Sequence, residues 1–309
     1  MKINDLAQVD IVIPTFNSAS NIELCLKRLI SQEYEGKTRI IIIDGGSTDS
    51  TLDICSRYGC EIHVYKGMYS NGLTGARNKS LEFCKGDLYW QIDSDNFVAD
   101  DTTLSKLAEP FVKIEDLMIA VPMVDYYSVM SGIDKWLSEY EKFMICQMAK
   151  SGKIVGNWSI VMDMAYGITN TSLIKTKILR EVGGYDSDVR VLARARKKGL
   201  SKGVVVLDAF YYHFQAISYK NYIKKTSRRI SFFGSFSEND LRNYFIPSIR
   251  DHTQRRNLFA SQLVYIKLSI SMFRSKLNFW YWGYFLVFGY LLVLLIHPKS
   301  FVRTLKRFF

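Results

Sequence analysis

The chain has 309 residues, of which 48% are hydrophobic and 23% are charged. This length and apolar content allow one large domain with appended segments, and they exclude a disordered chain. Lys and Arg number 41 against 30 Asp and Glu, and the formal net charge of +11 suits nucleic acid, an anionic membrane surface or a phosphate-bearing substrate without choosing among them.

From residue 9 to 98, short β-branched runs alternate with helical patterns. The predicted strands are VDIVIP, RIIIID, EIHVY and LYWQID, and the predicted helices between them cover 21–31, 50–58 and 74–84. Such alternation is typical of βαβ units, which place a mostly parallel sheet between layers of helices. We therefore predict an open α/β fold, in which ligands bind beyond the carboxyl ends of the strands.

The following hundred residues are less regular. A helix is predicted over 99–115 and a strand in LMIAVPMV, whereas 126–165 gives no clear pattern. Residues 173–199 contain two helical patterns separated by VGGYDSD, and GVVVLDAFYYHF is the last predicted strand.

After residue 216 the chain becomes basic and aromatic. We predict a catalytic domain over 1–220, a basic helical connector over 221–257, and membrane-associated helices with a basic tail over 258–309. The 18 uncharged residues FWYWGYFLVFGYLLVLLI carry a Trp and Tyr cluster at one end, which is typical of a membrane interface. A single span with the catalytic part in the cytosol would leave the basic tail outside the cell, against the tendency of basic residues to stay inside. The apolar segments within 258–309 are therefore expected to form either a transmembrane hairpin or helices in the membrane plane.

The five cysteines form no CxxC pair, which favours reduced, buried thiols over a disulfide framework or a zinc site. No apolar segment of signal-peptide length precedes the first predicted strand, so the catalytic part is expected in the cytosol.

Polar residues follow the first two strands, where a ligand is expected. IPTFN lacks the G-x-G-x-x-G of a dinucleotide-binding turn, and the sequence contains no P-loop motif. In IIIDGGSTDS, Asp44 ends a strand, the two glycines let a ligand approach the backbone, and hydroxyl groups follow. A simple strand-turn-helix connection, with Asp49 or Ser50 as the helix cap, is an equal alternative.

Asp93 and Asp95 follow an apolar strand. Side chains two residues apart in an extended chain share a face, so both carboxylates are expected to reach one point. A nearby cation relieves their repulsion, and Mg²⁺ or Mn²⁺ binds through one or two carboxylates plus substrate phosphates. The pair therefore predicts a divalent-metal site, with a solvated, helix-capping turn as the alternative.

The segments IVIPTFN, IIIDGGSTDST, GARNKSLEFCKGDLYWQIDSDN and VGGYD occur in an order and at spacings similar to those of glycosyltransferase family 2. The resemblance covers residues 9 to about 215. It implies an inverting enzyme of the GT-A fold that uses a nucleotide-sugar donor and Mn²⁺ or Mg²⁺. It also implies that a D-x-D pair holds the ribose and the metal-bound diphosphate of the donor.

The resemblance implies roles for individual residues. Asp95 is the expected metal ligand, and Thr15 and Asp44 match positions that line the base pocket. His213 falls where some members carry a further metal ligand, although a packed core histidine is the alternative. The residues expected to bind the nucleotide sugar are Pro14, Thr15, Asn17, Asp44, Gly46, Ser47, Arg77 and Asp93.

SDVRVLAR aligns with a Glu-Asp pair of the family and with the arginine that follows it. By this resemblance, Asp188 takes the position of the general base and Arg194 that of the arginine, whereas Ser187 replaces the glutamate. Asp186 competes for the role of base because the stretch after GGYD is shorter than usual. A loop acid that caps the next helix is the alternative for both.

Three residues are candidates for contact with the acceptor. Arg228 and Arg229 offer cations for the phosphate of a lipid-linked acceptor, with a solvated basic face near an anionic membrane as the alternative. Trp158 is a candidate for stacking on a sugar, with a core aromatic as the alternative. The Q-x-x-R-W motif of processive family members is absent, which favours single additions.

The predicted function is transfer of one sugar from a nucleotide-diphosphate donor to a membrane-associated, polyprenyl-linked acceptor in surface-glycan assembly. The predicted location is the cell membrane, with the catalytic domain facing the cytoplasm. Nucleic acid is not an expected partner, and a homo-oligomer is left open. The alternatives are a sugar nucleotidylyltransferase, which needs a Gly-rich loop in place of IPTFN, and a non-catalytic, membrane-bound scaffold of the same fold.

Overall fold

A computed structural model describes residues 7–66, 68–125, 138, 141–142, 145–146, 148–164, 171–185 and 188–214. The strands and helices of this part, in chain order, are β1 (Val9–Thr15), α1 (Ala19–Ile30), β2 (Thr38–Asp44), α2 (Thr51–Arg57), β3 (Glu61–Val64), α3 (Met68–Ser80), β4 (Leu88–Gln91), β5 (Asn96–Val98), α4 (Thr103–Lys113), β6 (Ile119–Asp125), β7 (Lys153–Val155), β8 (Trp158–Val161), β9 (Leu173–Lys175), α5 (Thr176–Glu181), α6 (Asp188–Lys197) and β10 (Gly203–His213).

The strands form one mixed sheet in the order β3-β2-β1-β4-β9-β6-β10-β8-β7, and β5 pairs with β10 beside this path. The first four strands run parallel to one another, and β6 runs parallel to β10. Strand β9 is antiparallel to both of its neighbours, β4 and β6. The predicted open, mostly parallel sheet flanked by helices is confirmed.

Both faces of the sheet are buried, as the apolar runs of its strands require. All seven residues of β1 are buried. Val9, Ile11 and Ile13 pack in a cluster with residues of α1 and α4, whereas Val12 packs in a second cluster with residues of α3, α5 and α6. The alternation of side chains along one strand thus fills two helical layers.

Three predicted elements differ from the structure. Helix α3 begins at Met68 and ends at Ser80, not at 74 and 84. The prediction began too late because Gly72 and Gly75 lower the helix propensity of the first turns, which the fold nonetheless forms. Residues 173–175 form strand β9 and not the start of a helix. The helix predicted over 99–115 covers only the residues of α4.

The predicted connector at 221–257 and the predicted membrane-associated segment at 258–309 lie outside the described residues. Among the helices that the structure does describe, none has the length and apolarity needed to cross a membrane. All five cysteines are free thiols.

Candidate active site

Three loops meet at the carboxyl edge of the sheet, after β1, β2 and β4. Asn17 joins the first two loops: its backbone N–H donates to Ser47 Oγ at 2.8 Å, and its Oδ1 accepts from the Thr48 N–H at 2.8 Å. Ser94 Oγ donates to Ser18 Oγ at 3.0 Å and adds the third loop. The segments that the sequence marks as ligand-binding therefore form one hydrogen-bonded network.

Asp44 organises the second loop from within. Its carboxylate is fully buried, and Oδ1 accepts from the N–H groups of Gly46 and Ser47, both at 2.7 Å. Oδ2 accepts from the Thr15 hydroxyl at 3.1 Å and also from the Ser47 hydroxyl. These donors offset the cost of burying a charged group. Pro14 is buried one position before Thr15, so the predicted residues of these two loops lie together.

Asp93 forms an ion pair with Arg77 of α3. Nη2 of Arg77 lies 2.8 Å from Oδ1 and 3.0 Å from Oδ2 of Asp93. The guanidinium also lies over the Tyr185 ring, 5.4 Å from its centroid. In the amide orientation that satisfies its neighbours, Gln91 accepts from Arg77 at 2.9 Å and donates to the Tyr185 hydroxyl at 2.9 Å. Arg77 is therefore the cation that relieves the charge of Asp93.

A β-turn separates the two carboxylates of the D-x-D pair. The Asn96 N–H donates to the carbonyl oxygen of Asp93 at 2.9 Å, which closes a four-residue turn. The extended chain expected between Asp93 and Asp95 is therefore replaced by a turn. Asp93 faces the buried arginine, whereas Asp95 faces His213.

Asp95 is the more accessible of the two acids, with 31% of its side chain exposed. The backbone places His213 beside it, because the Phe214 N–H donates to the carbonyl oxygen of Asp95 at 2.9 Å. His213 Nε2 lies 3.7 Å from Asp95 Oδ2, and His213 Nδ1 lies 3.1 Å from Glu141 Oε2. His213 is thus held between two carboxylates, unlike a histidine packed in an apolar core.

The charge of the His213 ring follows from these neighbours. Burial lowers the pKa of His213, but the nearby carboxylates of Glu141 and Asp95 outweigh burial and raise the pKa to about 10.

Asp95 and His213 fit a divalent cation in donor type and separation. Their 3.7 Å separation is longer than a hydrogen bond, whereas two ligands about 2.1 Å from one ion lie roughly 3.0 to 4.2 Å apart. No group of three or more His, Cys, Asp or Glu side chains in the described part of the chain is arranged to hold a metal ion. Mg²⁺ and Mn²⁺ characteristically keep several waters and bind through one or two carboxylates plus substrate phosphates.

Residues 182–185 connect the Arg77 centre with the region of the predicted base. Asn78 Oδ1 accepts from the Tyr185 N–H at 3.0 Å, and a Cβ at Gly184 would lie 2.2 Å from the same Oδ1. Gly184 also has a φ of +82°, which disfavours other residues. Arg194 of α6 donates to the carbonyl oxygens of Val182 and Gly184, both at 2.6 Å. The arginine matched by sequence thus anchors this loop.

The candidates for the general base and for phosphate binding stay predictions. Asp186, Arg228 and Arg229 lie outside the described residues. Asp188 is the first residue of α6, and the structure describes its backbone but not its side chain.

Trp158 does not lie at the carboxyl edge. It stands in β8 opposite Val206. Because the register against β6 skips residues 207–209, Val206 and His213 lie about four strand positions apart, roughly 13 Å. The Trp158 ring packs against the cluster that contains residues of α1 and α4, 5.2 Å from Nζ of Lys113. Trp158 is thus partly buried against this cluster, and its contact with an acceptor sugar stays a prediction.

Two residues of this region were not predicted, Glu141 and Lys142, which are both helical. Lys142 Nζ lies 3.0 Å from Oδ1 of Asp125, the last residue of β6. Asp125 stands beside Tyr212 of β10, one residue before His213. The sequence offered one indication of this region, Asp125, because an acid at the end of a strand can belong to a site. Nothing in the sequence distinguishes Glu141 or Lys142 from other helical charged residues.

Residues 10–183 match the model of the family described as Glycosyl transferase family 2. An N-acetylglucosaminyltransferase of Azorhizobium caulinodans is 33% identical over 106 residues, which cover 33% of this chain and 26% of that protein. The chain spans only 16% to 26% of the length of the first three curated relatives it matches.

Two solved structures share the fold. S. aureus TarS 1–349 in complex with UDP has a TM-score of 0.53 at 19% identity, covering 82% of this chain and 75% of that one. The mannosyltransferase PcManGT from Pyrobaculum calidifontis, in complex with GDP-Man and Mn²⁺, has a TM-score of 0.58 at 14% identity, covering 99% and 85%. These likenesses establish a sheet of the GT-A type.

Proposed function

Because the chain belongs to glycosyltransferase family 2, we propose that it moves one hexose from a nucleotide-diphosphate donor to a membrane-associated acceptor of the polyprenyl-linked class. The observation that carries this proposal is the carboxyl edge of the sheet. There, three loops join in one hydrogen-bonded network, and Asp95 stays partly exposed beside His213. Such an edge is where open α/β sheets bind ligands.

The residues of this edge would have different roles in binding the donor. The loops held by Asn17, Asp44 and Ser47 would face the nucleotide, and Arg77 would keep Asp93 charged and in place. A divalent cation held by Asp95 and His213 supplies the positive charge that stabilises the leaving nucleoside diphosphate. The Mn²⁺ in the GDP-Man complex of PcManGT supports Mn²⁺ or Mg²⁺ as the cofactor.

Asp188 would act as the general base. It would take the proton from the acceptor hydroxyl while that oxygen bonds to the anomeric carbon and the bond from this carbon to the donor phosphate breaks, with inversion. Its support is its place at the start of α6, directly after the loop that Asn78 and Arg194 anchor. Asp186, two residues earlier, is the competing base.

We also place the protein at the cell membrane, with its catalytic part facing the cytoplasm. The support is the uncharged segment 279–296 and the basic sequence at 224–229, in which Arg228 and Arg229 would meet an acceptor phosphate. No specific observation favours the nucleotidylyltransferase or the non-catalytic scaffold.

The test of transfer uses the full chain in detergent, a panel of UDP-sugars and GDP-sugars, a polyprenyl-linked acceptor, and Mn²⁺ or Mg²⁺. We expect the wild type to consume one donor and to form a glycosylated lipid, and Asp95→Ala to lose this activity. Equal inactivity of both proteins across the panel contradicts the proposal.

The test of the base compares Asp188→Asn with Asp186→Asn. We expect Asp188→Asn to abolish transfer and to leave donor binding nearly intact, because a base acts on the acceptor and not on the nucleotide. Near-normal transfer by Asp188→Asn, together with an inactive Asp186→Asn, moves the role to Asp186.

A further inference from the structure

The backbone fixes where His213 lies but not how its ring is turned. Antiparallel pairing of β5 and β10 sets His213 opposite Asn96, and the Phe214 N–H donates to the carbonyl oxygen of Asp95. Rotation of the side chain could still exchange the two ring nitrogens, which are chemically distinct. The orientation of the ring must therefore come from side-chain contacts.

Glu141 provides such a contact. Its Oε2 lies 3.1 Å from His213 Nδ1, and both side chains are largely buried, 14% and 10% exposed. An ionised carboxylate only accepts hydrogen bonds, so Nδ1 carries the proton. Nε2 is then the nitrogen that faces Asp95, at 3.7 Å. Metal-binding histidines generally donate their other N–H to a carboxylate or carbonyl in this way, which fixes the tautomer.

The segment that carries Glu141 has anchors of its own. Ile145 and Met148 are buried in the hydrophobic core and hold the segment, whereas the pair of the neighbouring Lys142 with Asp125, at 3.0 Å, is partly exposed and contributes little. Glu141 therefore does not depend on His213 for its position, and it can orient the ring.

We infer that Glu141 is a positioning residue for the cation site: it holds His213 with Nε2 directed at Asp95, so that both side chains present their donor atoms to one Mn²⁺ or Mg²⁺. The inference rests on the proposed metal-dependent function. It assigns part of the irregular region 126–165 to the donor side of the site, through a residue that touches neither the donor nor the cation.

A double-mutant cycle tests this inference on the full chain in detergent. Binding of Mn²⁺ is measured by electron paramagnetic resonance, with Mn²⁺ alone and with UDP or GDP added. We expect Glu141→Gln to raise the Kd for Mn²⁺ about 10-fold, because the new amide can donate to Nδ1 and favour the opposite tautomer. In a His213→Ala background, Glu141→Gln should have no further effect, because Glu141 acts only through His213.

Lys142→Ala is the matched control, because it breaks the neighbouring ion pair on the same segment. We expect it to leave the Kd for Mn²⁺ within about twofold of the wild type, as expected for a pair that is about one-third exposed. The Tm without metal shows that each variant is folded, and Glu141→Met replaces Glu141→Gln if the latter does not fold.

Three results overturn the inference: wild-type Mn²⁺ affinity in Glu141→Gln, unchanged affinity in His213→Ala, or an equal loss from Glu141→Gln in both backgrounds. The measurement is of Mn²⁺ binding and does not require transfer. Mn²⁺ binding that depends on Glu141 in a protein that transfers no sugar supports the inference and contradicts the proposed function, so the two failures can be distinguished.

Discussion

Asp10 and Asp95 are aspartates at opposite ends of the same sheet, and the protein uses them differently. Asp10, in β1 at the amino end, is fully buried; its Oδ2 accepts from the N–H groups of Lys85 and Gly86, both at 2.6 Å, and its Oδ1 accepts from Arg39 Nε at 2.9 Å. Asp95, at the carboxyl end, is 31% exposed and has a histidine nitrogen at 3.7 Å.

The difference lies in burial and in what surrounds each carboxylate. Asp10 is buried and its oxygens are saturated by donors of the protein, so it contributes to folding and has no capacity left for a ligand. Asp95 keeps part of its side chain exposed, where a ligand can reach it. Four isosteric Asp→Asn substitutions, two at these sites and two in the loops of the carboxyl edge, test whether saturation or position in the sheet decides the role.

Asp95→Asn has the largest expected effect. Under the proposed function, transfer should fall roughly 10³-fold, about 4 kcal/mol, because the leaving diphosphate would lose the cation that the carboxylate would hold. The free energy of unfolding should change by less than about 1 kcal/mol, as is usual for a partly exposed side chain. Donor turnover and urea unfolding measure the two effects. If Asp95→Asn lost much stability and kept its activity, Asp95 would be a structural residue like Asp10.

Asp10→Asn is the reverse case. The new amide group would face backbone N–H donors and Arg39, which should lower the free energy of unfolding by about 3 kcal/mol. The Kd for Mn²⁺ should stay within about twofold of the wild type below the unfolding temperature. Urea unfolding and Mn²⁺ titration provide the measurements, and a stability loss under about 1 kcal/mol would show that saturation is not what fixes this acid.

Asp44→Asn separates position from saturation, because Asp44 lies at the carboxyl edge and is fully buried. The new amide nitrogen cannot accept from the Thr15 and Ser47 hydroxyls as Oδ2 does, which should lower the free energy of unfolding by about 2 kcal/mol. The loosened turn should also reduce the thermal shift that UDP or GDP produces. Unchanged stability with lost nucleotide binding would instead group Asp44 with Asp95.

Asp49→Asn has the smallest expected effect. A hydrogen bond from the Thr51 hydroxyl lowers the pKa of Asp49, and the Ala19 N–H adds a further donor. Since the folded-state pKa is below the ordinary value, this stabilisation is present above that value and is lost as the pH falls through the folded-state pKa. Asn should cost less than about 1 kcal/mol at pH 7, because Asp49 is exposed.

Urea unfolding of wild type and Asp49→Asn at pH 7 and pH 3 checks the sign of this dependence. The difference in the free energy of unfolding should shrink at the lower pH. A difference that grows toward pH 3 would contradict a lowered pKa.

Much of the fold could be predicted because its strands are long and apolar and alternate with helices. Strand β9 could not: it has three residues, and its pairing with β4 and β6 depends on segments far away in sequence. Helix α3 was misplaced because local propensity counts Gly72 and Gly75 against a helix that the fold nonetheless forms.

The site was predictable where it lies in loops after strands. Thr15, Asp44 and Ser47 come together at this edge. The ion pair of Arg77 with Asp93 was not predicted and is a finding of the structure. The pairing of His213 with a glutamate was not predictable, because Glu141 lies 72 residues earlier on a helical segment. There, a glutamate has the same local pattern as any solvent-exposed helical acid.

Strand β10 contains a bulge between its two ends. Val206 and Phe210 pair with the adjacent residues Pro122 and Met123 of β6, so residues 207–209 have no counterpart on that strand. Asn157 holds the bulge through two hydrogen bonds. Its carbonyl oxygen accepts from the Leu207 N–H at 2.8 Å, and its Nδ2 donates to the Asp208 carboxylate at 2.9 Å.

The number of residues in this bulge therefore matters as much as their identity. Side chains alternate between the faces of a strand, so a slip of one residue beyond the bulge would put Phe214 opposite Asn96 and turn His213 to the other face. Insertions and deletions at 207–209 are consequently a way to lose the histidine from the site without altering any residue in it. Among sequence variants of this protein, length at this position would mark whether the proposed cation site can form.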